Sequence, residues 1–169
     1  MINDSIIGPL NSEDFSSLFS RIRASPAELI GLTDSLERTN HLQSYFIVAK
    51  QTGVAVLRAY LADVKSYPSR EEAILYYEMP LLRYFTERKL QYEVLFPSLT
   101  AVNATIVHWR ELIARGFPFV KAGALRQSRE DWRSVLHGQC YDFRIAEDTL
   151  AIIEQGDAPS PSAPQAARS

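Results

Sequence analysis

The sequence predicts an α/β domain, and three observations carry that prediction. Short apolar runs alternate with stretches whose large apolar residues recur every three or four positions. Gly, Pro and small polar residues punctuate the joints between them. The 169 residues are 46% hydrophobic and 22% charged, which suits one globular domain with a sizeable core. The formal net charge of -2 gives no basic footprint for nucleic acid or an anionic membrane. No apolar run approaches the roughly 20 residues that a membrane helix needs. Met1 leads straight into Asn3, Asp4 and Ser5, without the basic and then apolar run of a signal peptide. The expected place is therefore the cytoplasm, with the inner face of the cell membrane as the alternative. The single cysteine, Cys140, cannot close an internal disulfide and excludes a cysteine-only zinc site.

The elements follow in order. Met1-Ile2 reads as a strand stub ending in Asn3-Asp4-Ser5, and Gly8-Pro9 reads as a turn. Asn11-Ser12 offers an N-cap for a helix whose Phe15, Leu18, Phe19 and Ile22 fall on one face, and Ser25-Pro26 ends it. Residues 27–32 form an apolar strand that stops at Thr33-Asp34-Ser35, and residues 41–49 suit a second strand entering the core. Residues 54–64 fit a helix with Val56, Leu57, Tyr60, Leu61 and Val64 on one face. Ser69-Arg70-Glu71-Glu72 resembles a capping box. An interior proline costs about 3 kcal/mol, so Pro80 predicts two short helices. The first ends near Tyr77, and the second starts around Glu78 with Pro80 in its first turn. Glu78 then sits at a helix N-terminus, which favours a carboxylate. A strand over 91–96 closes at Pro97. A helix over 105–115, with Ile106, Trp109, Leu112 and Ile113 on one face, stops at Gly116. Two more helices are predicted over 129–137 and 142–153. The folded domain is expected over 1–153, and 154–169 reads as an Ala-, Pro- and Ser-rich disordered tail.

Two polar clusters end apolar strands, Asn3-Asp4-Ser5 and Thr33-Asp34-Ser35. In open α/β sheets ligands bind at the carboxyl ends of strands. An aspartate there can hold a divalent cation that bridges phosphates, because Mg²⁺ takes hard oxygen ligands. Equally, each aspartate can simply cap the turn or helix that follows.

These residues carry a resemblance. Asn3 to Leu10 (NDSIIGPL), Gly31 to Ser35 (GLTDS) and His41 to Phe46 (HLQSYF) resemble the rhamnan-synthesis F family of bacterial glycosyltransferases. Tyr77-Glu78, the stretch from Asn103 through Trp109 to Gly116, and Phe117 to Lys121 continue it in the same order, as do Trp132 and Tyr141-Asp142. The resemblance spans roughly Asn3 to Leu150. It implies an enzyme that moves a sugar, with rhamnose as the named candidate, from a nucleotide-sugar donor to a growing cell-surface polysaccharide. It implies a GT-A-like sheet flanked by helices and followed by C-terminal helices. The N-terminal strands that form the nucleotide-base pocket in such folds are not expected within this chain.

Carried over residue by residue, the resemblance puts Asp4 at a Mg²⁺ or Mn²⁺ ion, with Asn3 and Ser5 on the donor. Asp34 falls on the acceptor side as a catalytic carboxylate, with Thr33, His41 and Gln43 binding substrate around it. Glu78 is the candidate general base, since an inverting transfer needs a carboxylate to take the acceptor proton. Pro80 and Ala104 depart from the residues usual in the family. Blander readings stand beside these. His41 can be a satisfied strand histidine, Glu78 a cap, and Lys121 part of a packed connector rather than a phosphate contact. Tyr45, Tyr76 and Tyr77 are as well explained by packing as by sugar stacking. As a whole, the chain can alternatively be an incomplete module that associates with itself or with a partner chain through an exposed sheet edge, or a plain protein-interaction domain.

Overall fold

The computed structural model describes residues 6–127, so the strand stub at Met1-Ile2, the two last helices and the tail lie outside the described residues. Strand β1 (Ile6–Ile7) leads to Gly8-Pro9 and helix α1 (Ser12–Ala24). As expected, Asn11 caps α1: its Oδ1 accepts the Asp14 N–H at 2.7 Å. Acidic residues Glu13 and Asp14 stand in the first turn and Arg21 and Arg23 in the last, matching the helix dipole. The exit is held by Lys50, whose ammonium donates to the carbonyls of Ile22 (3.1 Å) and Ser25.

Next come β2 (Leu29–Gly31), β3 (Asp34–Ser35), β4 (His41–Leu42) and β5 (Ile47–Ala49). The strand expected over 41–49 is thus two strands, and the reason lies in the pairing. Asp34 faces Leu42 and Ser35 faces His41, whereas Gly31 faces Ile47 and Leu29 faces Ala49. Two residues separate the ladders on the outgoing strand and four on the return, so the hairpin bulges over 43–46. The bulge is stitched by the Gln43 N–H donating to the Thr33 carbonyl at 3.1 Å. Strand β6 (Tyr92–Val94) adds in parallel to the other side of β2. The described strands therefore make three small sheets, β5-β2-β6, β3-β4 and the antiparallel pair of β1 with β7 (Val120–Lys121). The architecture is α/β, with one parallel pair among antiparallel ones.

Helix α2 (Thr52–Ala62) follows β5. Then α3 (Arg70–Ala73), a π-helical turn (Ile74–Glu78) and α4 (Met79–Thr86) run as one path. Pro80 does fall in the first turn of α4, but no break separates the helices. The chain stays helical at Ala73, Glu78 and Met79, and the Met79 N–H reaches back to the Ile74 carbonyl. Pro80 lacks an N–H and crowds the preceding turn, and the wider π turn accommodates both. The Ser69 hydroxyl caps α3 by accepting the Glu72 N–H at 3.2 Å, which is one half of the expected capping box.

The helix expected over 105–115 is α5 (Ala104–Val107) and α6 (Trp109–Ala114), broken at His108. Gly116, at φ +84, ends α6 in a Schellman motif: its N–H meets the Ile113 carbonyl, and the Phe117 N–H meets that of Leu112. Helix α7 (Ala122–Gln127) follows β7. No helix among the described residues is long and apolar enough to cross a membrane.

Three apolar clusters fix these parts. Leu18, Ile22, Ile30, Phe46, Phe96 and Phe117 bind α1 to the central sheet. Leu42, Ile47, Leu81, Leu82 and Phe85 press α4 onto β4 and β5. Leu10, Trp109, Ile113, Val120 and Leu125 hold β7 and α7 against α6. Gly8 governs the last arrangement. Its φ is +148, and a Cβ there would lie 2.6 Å from the Pro118 carbonyl oxygen and 2.7 Å from Phe119 Cδ1. Gly8→Ala is expected to destabilise the domain by about 1–3 kcal/mol, read as a lower thermal midpoint.

Candidate functional site

A polar cleft of about 680 Å³ opens where the β3–β4 hairpin, the bulge, the α3–π segment, α5 and the β7–α7 unit meet. The packing of α4 on β4 creates one corner of it. It brings Glu78, the last residue of the π turn, beside Ser44, the second residue after β4. The Ser44 hydroxyl donates to Glu78 Oε1 at 2.5 Å, a short charge-assisted bond. That bond, not a helix terminus, is what the carboxylate meets. The Met79 N–H at the start of α4 is spent on the Ile74 carbonyl of the π turn, and Glu78 makes no capping bond.

His41 also lines the cleft and is 6% exposed. Its Nδ1 lies 2.8 Å from the Thr39 carbonyl oxygen, which can only accept, so Nδ1 carries a proton. In the neutral ring Nε2 is then an acceptor.

Behind this corner runs a buried polar relay. The single Thr33 hydroxyl proton goes to Gln43 Oε1 at 2.6 Å, so the Tyr45 hydroxyl, 2.6 Å away, must donate to Thr33. Burial fits that direction, since it raises the Tyr45 pKa well above the ordinary phenol value; the Thr33 bond opposes this shift and Asp34 adds to it. Gln43 Nε2 donates onward to Asn103 Oδ1 at 3.2 Å, which also accepts from the Thr105 hydroxyl at 2.7 Å. The relay locks the bulge to α5. Thr33→Val would strand buried partners at both ends, so it is expected to cost about 1–3 kcal/mol, measured by denaturant unfolding.

The residues singled out from sequence therefore separate. Glu78, His41 and Gln43 line the cleft together. Thr33 is fully buried, and its hydroxyl bonds to Gln43 and Tyr45 of the relay. Asp34 is 7% exposed and is not among the lining residues. Its Oδ1 accepts the Ser98 N–H at 2.7 Å and its carbonyl accepts the Ser98 hydroxyl at 2.8 Å, tying β3 to the loop after β6. Asn3, Asp4 and Ser5 lie outside the described residues. No group of three or more His, Cys, Asp or Glu that could hold a metal ion occurs among the described residues. Asp4, the residue expected at Mg²⁺ or Mn²⁺, lies outside the described residues.

Sequence reasoning missed Ser44, Arg38, Glu71 and Arg126, all of which line the cleft. Ser44 stood inside the stretch from His41 to Phe46. Nothing in the local pattern marked the other three, which converge only in three dimensions. Lys121, taken from sequence as a connector residue or a phosphate contact, is 8% exposed, lines the cleft, and holds its ammonium 4.8 Å from the centre of the Tyr45 ring.

The class defined by these features is an α/β domain with a polar cleft lined by carboxylates, an imidazole and several cations. The rhamnan synthesis protein F family matches residues 1–145, and the chain belongs to that family. Membership ties it to the synthesis of polysaccharide. No curated protein and no solved structure matches the chain.

Proposed function

We propose that the chain is a glycosyltransferase, or the acceptor-side part of one, moving rhamnose from a nucleotide-sugar donor to a growing polysaccharide. The observation that carries this is the Ser44–Glu78 contact inside the cleft of a rhamnan-synthesis protein. Ser44 shows that a hydroxyl donor fits on Glu78 Oε1. Glu78 Oε2 has no hydrogen bond among the described residues, which leaves a lone pair for an acceptor hydroxyl. In the reaction the acceptor oxygen attacks the anomeric carbon and its proton passes to Glu78. The bond from the anomeric carbon to the phosphate oxygen breaks, and the nucleoside diphosphate leaves with the electron pair. The His41 Nε2 acceptor and the Gln43 amide orient sugar hydroxyls at the same corner. A GT-A-like arrangement would suit this chemistry and the α/β elements.

The test is transfer itself. Purified protein, a nucleotide-rhamnose donor and rhamnan oligosaccharide are incubated, and mass spectrometry reads chain growth. Growth by single deoxyhexose units is expected; donor left intact beside an unchanged acceptor, in protein that melts cooperatively, would count against the reading. A second reading is a module completed by another polypeptide. It is favoured by the small central sheet, whose outer strands β5 and β6 pair on one side only among the described residues. A monomer by light scattering that is active alone would remove it.

A further inference from the structure

The buried relay has a direction, and that direction decides what Asn103 shows to the cleft. A side-chain amide can be turned either way, so the hydroxyls at the two ends of the relay fix it. At one end the Tyr45 hydroxyl has Thr33 as its one hydrogen-bond partner among the described residues, and Tyr45 is 2% exposed. At the other end stands Thr105, 1% exposed, whose hydroxyl meets Asn103 Oδ1 at 2.7 Å and no other described group. Turning the relay round would make both hydroxyls acceptors and leave each buried proton unpaired, which is the costly outcome. The protons therefore run inward from both ends and converge on Asn103 Oδ1. Asn103 Nδ2 is thereby turned away from the relay. It makes no hydrogen bond among the described residues, it is not buried, and Asn103 lines the cleft. Helix capping does not occupy it either, since the Asn103 side chain makes no capping bond to α5.

Building on the transferase reading, we infer that Asn103 is a specificity-determining residue for the acceptor sugar: its Nδ2 donates to the oxygen of one sugar hydroxyl, and Tyr45, Thr33 and Thr105 are its positioning residues. The place follows from the chain. Gln43, bonded to Asn103, precedes Ser44, which is bonded to Glu78. Asn103 thus stands on the same side of the cleft as the proposed base. The polarities complement each other. Glu78 Oε2 and His41 Nε2 can only accept, so a hydroxyl there must donate. Asn103 Nδ2 can only donate, so a hydroxyl there must accept. A sugar that sets a bare carbon against Asn103 leaves this donor unpaired and binds less well.

Calorimetry on the full chain tests this with a rhamnan oligosaccharide and with analogues in which one hydroxyl of the terminal residue is replaced by hydrogen or by fluorine. Wild-type protein is expected to bind the parent sugar. At one position hydrogen should weaken binding about tenfold, roughly the worth of one hydrogen bond, and fluorine less, because fluorine accepts but cannot donate. Asn103→Asp keeps Oδ1 for its two donors and replaces only the outward N–H groups by an acceptor. In this variant the order at that position should reverse, since a carboxylate repels fluorine. Thr33→Val, which frees the Gln43 amide to turn, should blunt the wild-type preference, and Thr33→Ser should restore it. A merely structural role for Thr33 would lower stability without altering that preference. Should Thr33→Val fail to fold, Asn103→Asp decides alone. No binding of the parent sugar by wild type, fluorine as costly as hydrogen at every position, or an unchanged order in folded Asn103→Asp overturns the inference. Wild-type preference in a folded Thr33→Val overturns the positioning role. The two proposals also fail separately. Sugar transfer by an Asn103→Asp protein that discriminates as wild type sinks this inference alone, whereas Asn103-dependent discrimination without any transfer sinks the transferase reading alone.

Discussion

Glu78→Gln is expected to lower sugar transfer by about two to four orders of magnitude, the usual contribution of a positioned general base. The substitution keeps the shape of the side chain and an amide oxygen for the Ser44 hydroxyl, so the contact at 2.5 Å survives in weakened form. What is lost is the capacity to take a proton. Glu78 is half-buried at the mouth of the cleft, not in the core, and the π turn is held by backbone bonds. Thermal stability should therefore move little. Steady-state kinetics on Glu78→Gln and the parent separate the outcomes. A large fall in kcat with KM nearly unchanged fits a base acting in the transition state. A fall in affinity alone would mean that Glu78 only binds.

Phe85→Ala is expected to destabilise the domain by about 3–5 kcal/mol. Phe85 is fully buried and packs with Leu29, Leu42, Ile47, Leu81 and Leu82, where α4 presses on β4 and β5. That cluster also holds Glu78 beside Ser44. The loss should appear both as a lower denaturant midpoint and as weaker transfer under conditions where the parent is fully folded. Native stabilities run to about 5–15 kcal/mol, so the variant should sit near the edge of folding. A midpoint shifted by less than about 1 kcal/mol would show that the α4 contact contributes much less to stability than its burial implies.

Much of the fold was legible because local physics decided it. Asn11 and Gly116 announced helix ends through capping chemistry and a left-handed backbone, and the structure places both as expected. Pro80 announced a disturbance, but not that a π turn would absorb it, since proline statistics speak of breaks and kinks. The single strand expected over 41–49 failed for a reason no periodicity contains. Thr33, Gln43 and Tyr45 bond side chain to side chain across the hairpin, and that relay forces two extra residues into the return strand. The single helix expected over 105–115 failed similarly at His108.

The candidate site was legible in part. Glu78, His41 and Gln43 do converge on one cleft. Asp34 looked alike in sequence, a carboxylate at a strand end, but its oxygens serve Ser98. Whether a strand-end carboxylate faces a cleft or a loop depends on which distant segment packs against it. Arg126 and Glu71 lie 55 residues apart and meet only because α7 and the α3–π segment border the same cleft, a distance no local motif spans.

The anomeric configuration of the newly formed linkage, read by NMR on the transfer product, tests the central claim most directly. Attack by an acceptor hydroxyl deprotonated by Glu78 is a single displacement, so the configuration should be inverted relative to the donor. A retained configuration would contradict the role given to Glu78 in this cleft.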